Sequence, residues 1–224
     1  MKKLYFGPGA CSFVPHACVA LAGAEFEPIM VKLHKGEQQA EAFLSVNPRG
    51  QVPVLVDGDL VLDQVVAITL HLDATYPQAQ LLPAEGVARA QALRTLVWMN
   101  NTVHPTFTHV FMPHKYTDNP QAQEALRGFN TGLYEQRLGE LEALVQQAGN
   151  GWLGGAKPGA LDAYALTLLR WGSIARIDAH DVPAGRILDQ RSGNLGATMR
   201  FSPLPKLGLL RFTDESELRP CKGC

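Results

Sequence analysis

A single cysteine near the N-terminus is the side chain with the clearest chemical potential in this sequence. Cys11 follows the glycine-rich turn Gly7–Ala10 and precedes a stretch of helical character from Ser12 to Ala22. The first N–H groups of a helix have no intrahelical partner and carry partial positive charge, so they stabilise a thiolate. We therefore expect the pKa of Cys11 to lie below its usual value of about 8.5. The alternative is a small buried apolar residue at a strand end, because free cysteine is often buried.

Three neighbours of Cys11 have simpler expected roles. The hydroxyl of Ser12 could donate a hydrogen bond to a thiolate at Cys11, but capping the helix is the more common role of serine there. Cys18 lies among apolar residues and is expected in the core. His16 could form the wall of a binding site, and spacing alone does not make it a base for Cys11.

The second notable stretch is 47–55, which leads into a hairpin. An Asp-Gly pair, Asp57 and Gly58, separates two short apolar runs and favours a type I′ turn. Proline cannot donate to a strand ladder, so Pro53 is expected at a strand start, and the Val52–Pro53 bond is a candidate cis peptide. The backbone of Val52 would then be free to pair with something outside the sheet. The alternative is an ordinary loop entering a hairpin.

The elements around these residues predict an α/β domain over residues 1–76. Strands at Lys2–Phe6 and Phe26–Leu33 enclose a helix, which is a βαβ unit with parallel strands. Helical turns near 40–46, the hairpin, and a helix over 64–76 follow as αββα, so the sheet is mixed.

Residues 77–86 are predicted to be a linker, and residues 87–224 an all-helical domain with an irregular tail. We expect helices over 87–112, with a kink at Pro105, over 120–148, and over 162–172, the last of them nearly apolar all round. The Cys221–Cys224 pair ends the tail, where we expect its thiols to have no role.

Composition excludes several classes of function. Apolar residues make up 46%, charged residues 18%, and the net charge is −1, so no basic surface for nucleic acid is expected. No apolar run approaches the roughly 20 residues of a membrane span, and Gly7–Gly9 interrupts any signal peptide. We expect a cytoplasmic protein without a disulfide framework. The seven histidines show no metal-binding spacing, so we predict no metal and no cofactor.

Together these motifs resemble the bacterial, beta-class-like glutathione S-transferases. Residues 9–16 match the pattern G-A-C-S-x-x-P-H, and residues 47–55 match N-P-[KR]-G-x-V-P-x-L, in which the family's proline is cis. Weaker matches are residues 103–107, similar to the helix that lines the second-substrate pocket, and residues 168–171, similar to the family's buried helix. The resemblance extends over about residues 1–175. It implies a thioredoxin-like N-terminal domain, an all-helical C-terminal domain and a homodimer.

The resemblance also implies roles for individual residues. Cys11, with Ser12 beside it, would face the sulfur of glutathione, which is the expected co-substrate. The main chain of Val52, oriented by Pro53, would pair with the cysteinyl backbone of glutathione. Gln64 and Val65 would lie at the γ-glutamyl carboxylate. His104, Phe107 and Trp171 would line the pocket for a small apolar electrophile.

The sequence departs from the family pattern at three places. Val65 stands where the family has serine, and losing one hydrogen bond to a charged group costs about 1.5–3 kcal/mol of binding free energy. Gly159 replaces the Ser or Thr that caps the buried helix, for which we expect a small loss of stability. Phe6 occupies the position of the activating tyrosine of other classes.

Three functions remain open from the sequence. The first is conjugation of glutathione to small electrophiles, with possible mixed-disulfide formation at Cys11. The second is a non-catalytic relative that binds apolar ligands or a protein. The third is glutathione-dependent thiol–disulfide exchange through Cys11.

Overall fold

The structure, a computed structural model, describes residues 1–149 and 151–177. Its first part is a four-stranded mixed sheet with helices, as expected for a thioredoxin-like domain. The strand order is β2-β1-β3-β4, with β1 parallel to β2 and antiparallel to β3. The strands are β1 Lys2–Phe6, β2 Phe26–Met30, β3 Val54–Asp57 and β4 Leu60–Asp63. The predicted βαβ and αββα order is confirmed.

The hairpin turn differs from the predicted one. Asp57 pairs with Leu60, so the two central residues are Gly58 and Asp59 rather than Asp57 and Gly58. A type I′ turn needs positive φ at both central positions, but here only Gly58 has it, at 60°. The turn therefore uses the freedom of glycine at its first central position alone.

Helices cover the rest of the described chain. In the N-terminal part they are α1 Phe13–Leu21, α2 Glu41–Leu44 and α3 Val65–Thr75. The helical part that follows contains α4 Gly86–Trp98, α5 His104–Phe111, α6 Pro120–Gln147 and α7 Ala160–Ile174. The predicted all-helical region is confirmed over these residues, and the tail with Cys221 and Cys224 lies outside the described part.

A π-helical segment, Met99–Val103, joins α4 to α5 where we predicted a kink. Pro105 has no N–H to donate and its ring disfavours a regular turn before it. The N–H of His104 bonds instead to the carbonyl of Met99, five residues earlier. The wide turn brings Asn100 and His104 onto one side of the helix.

Helix α7 lies at the centre of the helical part. Twelve of its residues are buried, as its apolar sequence predicts. On α6 the buried face carries Tyr134, Leu138, Leu141 and Val145. Phe129, on another side of α6, is 72% exposed. Helix α6 therefore contributes one apolar face to the core.

Hydrogen bonds, in addition to the covalent chain, connect the sheet-containing part of the fold to the helical part. Asp73 on α3 is 7% exposed and accepts hydrogen bonds from the N–H of Leu82 at 3.1 Å and from Arg89 at 2.8 Å. Leu81, just before, accepts from the N–H of Ala160 at 2.9 Å. The segment after α3 is thus held by helices on both sides.

Candidate functional site

The site is built around the turn between β1 and α1. The turn is closed by a hydrogen bond from the N–H of Ala10 to the carbonyl of Gly7 at 3.2 Å, and Gly9 has a φ of 74°. The helix begins at Phe13, so Cys11 lies just before it. The sequence-predicted position of Cys11, at the end of a strand and the start of a helix, is therefore correct.

The hydroxyl of Ser12 forms hydrogen bonds within the turn itself. It accepts a hydrogen bond from the N–H of Gly7 and donates one to the carbonyl of the same residue, both at 3.1 Å. The side chain is fully buried and makes no capping bond to α1. The expected capping bond is therefore not formed, and the single proton of the hydroxyl is given to Gly7 in the ligand-free protein, so it is not donated to Cys11.

Cys11 contacts the second predicted motif, residues 47–55, in the folded structure. Its Sγ donates to the carbonyl oxygen of Val52 at 3.9 Å, across 41 residues of sequence. The Val52–Pro53 peptide bond is cis, and Pro53 directly precedes β3. Within residues 1–149 and 151–177, the N–H of Val52 has no hydrogen-bond partner. A main-chain donor thus lies free beside the thiol.

The loop that presents Val52 is fixed by a buried amide. Asn47 is 4% exposed; its Nδ2 donates to the carbonyl of Gln51 at 2.8 Å and its Oδ1 accepts from the N–H of Arg49 at 3.2 Å. The Arg49 guanidinium forms an ion pair with Asp63 at 2.8 Å, which ties the loop to the end of β4. These three contacts hold the loop in place next to Cys11.

The pKa of Cys11 moves in the direction opposite to our expectation. Burial of the sulfur raises the pKa of the Cys11 thiol to about 12. The N–H groups of Cys11 and Ser12 and the charge of Lys115 lower it, as helix-start reasoning predicts, but by less than burial raises it. Cys11 is therefore a neutral thiol near pH 7 in the ligand-free protein.

Gln64 and Val65 begin α3 next to the same edge of the sheet. Gln64 has a φ of 72°, a left-handed conformation that is uncommon for a residue with a side chain and typical of functional sites. The first N–H groups of α3 have no intrahelical acceptor, so they can bind an anion. Val65 itself is 4% exposed and packs in the core.

An aromatic cluster from the helical part adjoins the Cys11 turn. The ring centroid of Trp171 lies 4.9 Å from that of His104 and 4.5 Å from that of Phe107. The Trp171 indole N–H donates to the carbonyl of Gly9 at 2.8 Å. Phe107 and Trp171 are only 4% and 7% exposed, so they form the buried side against which His104 packs. Their role in an electrophile pocket stays a prediction.

Three further residues of this site were missed by sequence reasoning. The Tyr164 hydroxyl lies 2.9 Å from Nδ1 of His104 and donates to Oδ1 of Asn100 at 3.0 Å. Lys115 is close enough to lower the pKa values of both Cys11 and His104. A tyrosine within the apolar run of α7 was the available signal, because a buried hydroxyl needs a partner. For Lys115 the sequence holds no signal.

Burial also lowers the pKa values of two histidines, His104 and His16. It lowers the pKa of His104 to about 4, and the positive charge of Lys115 acts in the same direction. His16 is 9% exposed and packs edge-on against Phe6 and Phe26, and burial lowers its pKa to about 4. Both rings are neutral near pH 7. His16 is thus a packed residue under the turn, whereas His104 lies in the aromatic cluster beside it.

The part of the chain that the structure describes contains neither a metal-binding cluster nor a membrane-spanning helix. Within 1–149 and 151–177, no group of three or more His, Cys, Asp or Glu side chains could hold a metal ion. Over those same ranges, every helix is too short or too polar to cross a membrane.

Comparisons with known proteins agree with this geometry. Residues 2–74 match the family model of the glutathione S-transferase N-terminal domain. Glutathione S-transferase GST-4.5 from Xanthomonas campestris pv. campestris is 31% identical over 188 residues, which is 81% of this chain and 88% of that protein.

Solved structures give the same fold. A glutathione transferase homologue from Sulfitobacter, with bound glutathione, has a TM-score of 0.81, covering 91% of this chain and 99% of that one at 22% identity. A sphingomonad glutathione S-transferase complexed with glutathione has a TM-score of 0.73 at 30% identity, covering 91% and 100%. With the family model matched over residues 2–74 and a relative that is 31% identical over 81% of this chain, the chain belongs to the glutathione S-transferase family.

Proposed function

We propose that this protein conjugates the glutathione thiolate to small apolar electrophiles. The observation that carries the proposal is the 3.9 Å contact between the Cys11 thiol and the Val52 carbonyl, beside a Val52 N–H that is free among the described residues. An extended tripeptide can add to this edge as a further strand, with its own N–H and C=O bonded to Val52. Its cysteinyl sulfur would then lie next to Cys11.

Other groups of the site would bind the ends of the tripeptide. The N-terminus of α3, at Gln64 and Val65, offers main-chain N–H groups to the γ-glutamyl carboxylate. His104 would face the reacting sulfur and the electrophile. The rate gain would come from proximity and from a larger thiolate fraction of glutathione. The sulfur forms a bond to the electrophilic carbon, and the leaving group departs with its electron pair.

Mixed-disulfide formation at Cys11 is a separate part of the proposal. The Cys11 thiolate would attack a sulfur of glutathione disulfide, and the second glutathione would leave as a thiolate. Burial raises the pKa of Cys11 to about 12, which makes its thiolate scarce. We therefore expect slow adduct formation at Cys11, with conjugation at the glutathione sulfur as the main reaction.

The test is glutathione binding by titration calorimetry together with intact mass after incubation with glutathione disulfide. The wild type should bind glutathione in the micromolar to low-millimolar range and slowly gain about 305 Da, the mass of glutathione less two hydrogens. Cys11→Ala should abolish this adduct. Cys18→Ala, at a fully buried thiol, is the matched control and should keep it.

The outcomes separate the alternatives. Absence of binding in the wild type would contradict a glutathione site and favour a non-catalytic binding protein. An unchanged adduct in Cys11→Ala would remove the role of Cys11. Rapid adduct formation without conjugation of any electrophile would favour thiol–disulfide exchange. The homodimer stays a prediction from the family resemblance, and the cytoplasmic location and the domain bounds 1–76, 77–86 and 87–224 stay predictions from the sequence patterns.

A further inference from the structure

A chain of side-chain hydrogen bonds ends at His104. The Tyr164 hydroxyl lies 2.9 Å from His104 Nδ1 and 3.0 Å from Asn100 Oδ1. The amide of Asn100 continues the chain, since its Nδ2 donates to Asn101 Oδ1 at 2.7 Å. Asn100 and His104 reach the same hydroxyl because the π-helical turn places them on one side, four residues apart.

The direction of each bond follows from the number of available protons. The amide nitrogen Nδ2 of Asn100 donates a hydrogen bond to Asn101. The amide oxygen Oδ1 of Asn100 therefore faces Tyr164, and an amide oxygen can only accept a hydrogen bond. Tyr164 has one hydroxyl proton, and it is given to Asn100. Its oxygen must therefore accept from His104, which requires the hydrogen to be on Nδ1. A neutral imidazole has only one N–H, so Nε2 carries a lone pair.

We propose that Tyr164 is a positioning residue that holds His104 in the Nδ1–H tautomer and leaves Nε2 as the proton acceptor for the reacting thiol. The identity of that thiol rests on the proposed function, since it would be the thiol of glutathione. The tautomer itself rests only on the four side chains of the hydrogen-bond chain, Asn101, Asn100, Tyr164 and His104. The arrangement follows the general logic of a base held by a third group.

The surroundings of His104 keep the ring in a neutral state. Burial is the main cause, and among residues 1–149 and 151–177 Lys115 is the only charged side chain that shifts the pKa of His104; its positive charge disfavours a second proton. The other titratable groups nearby, Cys11 and Tyr164, have raised pKa values and are uncharged near pH 7. A neutral ring is required for a tautomer to exist.

The proton step is simple to balance. Before the attack, the S–H bond of glutathione breaks, its proton passes to Nε2 of His104, and the electron pair stays on the sulfur as a thiolate. The electron pair of that bond forms the S–C bond, and the leaving group departs as an anion. The imidazolium then returns its proton to solvent, while Tyr164 keeps its bond to Nδ1 throughout.

The tautomer can be measured directly on the full-length, ligand-free protein by two-dimensional NMR with 15N-labelled histidine. The His104 signals are assigned by their loss in His104→Gln. In the wild type, the unprotonated-type nitrogen shift should belong to Nε2. In Tyr164→Phe, which keeps the ring but has no hydroxyl, this preference should be lost or reversed. A protonated Nε2 in the wild type, or an unchanged spectrum in Tyr164→Phe, would overturn the proposal.

Tyr134→Phe is the matched control. Tyr134 is also fully buried and lies in the same core, but its hydroxyl donates to the carbonyl of Leu168 at 2.7 Å and does not contact His104. Loss of a buried hydroxyl should destabilise both variants. Only Tyr164→Phe should change the His104 tautomer. An equal change in both variants would indicate a general packing effect and contradict a specific role of Tyr164.

Kinetics test the acceptor role separately. With chlorodinitrobenzene as electrophile, Tyr164→Phe should lower kcat by about tenfold with little change in KM for glutathione. Asn100→Asp keeps an acceptor for the Tyr164 proton and should retain the wild-type tautomer, whereas Asn100→Leu should not. A changed tautomer with unchanged kcat would refute the acceptor role. Absence of turnover in the wild type with the expected tautomer would count against the proposed function and leave the role of Tyr164 in holding the tautomer supported.

Discussion

The indole nitrogen of Trp171 donates a hydrogen bond to the main-chain oxygen of Gly9 at 2.8 Å, between residues 162 positions apart in the sequence. Helix α7, the most buried helix of the described chain, is thereby attached to the turn that carries Cys11. The same indole ring stacks on Phe107 and contacts the ring of His104. One side chain therefore sets the distance between the thiol and the helical wall of the site.

Replacing Trp171 by Phe should loosen this connection. The bond to Gly9 and part of the indole packing are lost, which should lower the free energy of unfolding by about 1–3 kcal/mol. Cys11 should also react faster with a small disulfide reagent, because its turn is less enclosed. Urea unfolding and mass spectrometry of the labelled Cys11 peptide measure the two effects. Trp98→Phe, on α4, is the control; an equal gain in Cys11 labelling there would argue against the Gly9 bond as the cause.

Val65→Ser should strengthen glutathione binding. A hydroxyl at the start of α3 can add a hydrogen bond to the γ-glutamyl carboxylate, worth at least about tenfold in the dissociation constant. The variant should also lose about 1–2 kcal/mol of stability, because Val65 is buried in the core. Calorimetry and urea unfolding measure both quantities. Val66→Ser should lose stability without gaining affinity, and tighter binding in that variant alone would contradict the assignment of the carboxylate site.

Acid should destabilise the protein through His16. Burial holds the folded-state pKa near 4, below the unfolded value of about 6.5. Below pH 6.5 the unfolded chain takes up a proton that the folded protein does not, so the free energy of unfolding falls as the pH drops toward 4. The effect of this one residue should reach about 2 kcal/mol by about pH 5.

The measurement for His16 is urea unfolding at neutral and mildly acidic pH. His16→Gln removes the titrating group and should show a shallower decrease between the two conditions, whatever its stability at neutral pH. The same decrease in wild type and variant would mean that the buried ring of His16 does not control the acid response.

Gly159→Ser should destabilise the protein, although serine is the better helix cap in general. A Cβ at residue 159 would lie 2.5 Å from the carbonyl oxygen of Leu81, a backbone atom that also accepts from the N–H of Ala160. We expect a loss of about 1–3 kcal/mol from this close contact. Thermal or urea unfolding measures it. Ala148→Ser, at the half-buried residue just after α6, is the control, and a stabilised Gly159→Ser would show that the segment near Leu81 moves easily.

Local patterns predicted most of the fold and half of the site. Strand β1, the parallel partner β2 and the cis bond before Pro53 follow from short-range signals that the structure confirms. The direction in which the pKa of Cys11 shifts does not follow from short-range signals. It depends on how deeply the sulfur is enclosed, and residues far along the chain decide that, including Val52 and the residues of α7.

The same reason explains the difference at Ser12. There the general preference for a helix cap is outweighed by the hydrogen bonds with Gly7. Tyr164 was missed because its role appears only when α7 lies against the π-helical turn. Sequence patterns identify elements well, whereas contacts between distant elements need the packed structure.

The bonds of Asp73 have a consequence for building chimeric proteins from relatives of this chain. Since Asp73 on α3 holds both Leu82 and Arg89, a crossover point in the predicted linker would separate this carboxylate from the partners that it evolved with. A hybrid joined there would pair one parent's acid with another parent's donors. Crossovers placed ahead of α3 or within α4 beyond Arg89 keep the set together, and libraries of recombined sequences should therefore yield more folded members when cut at those positions.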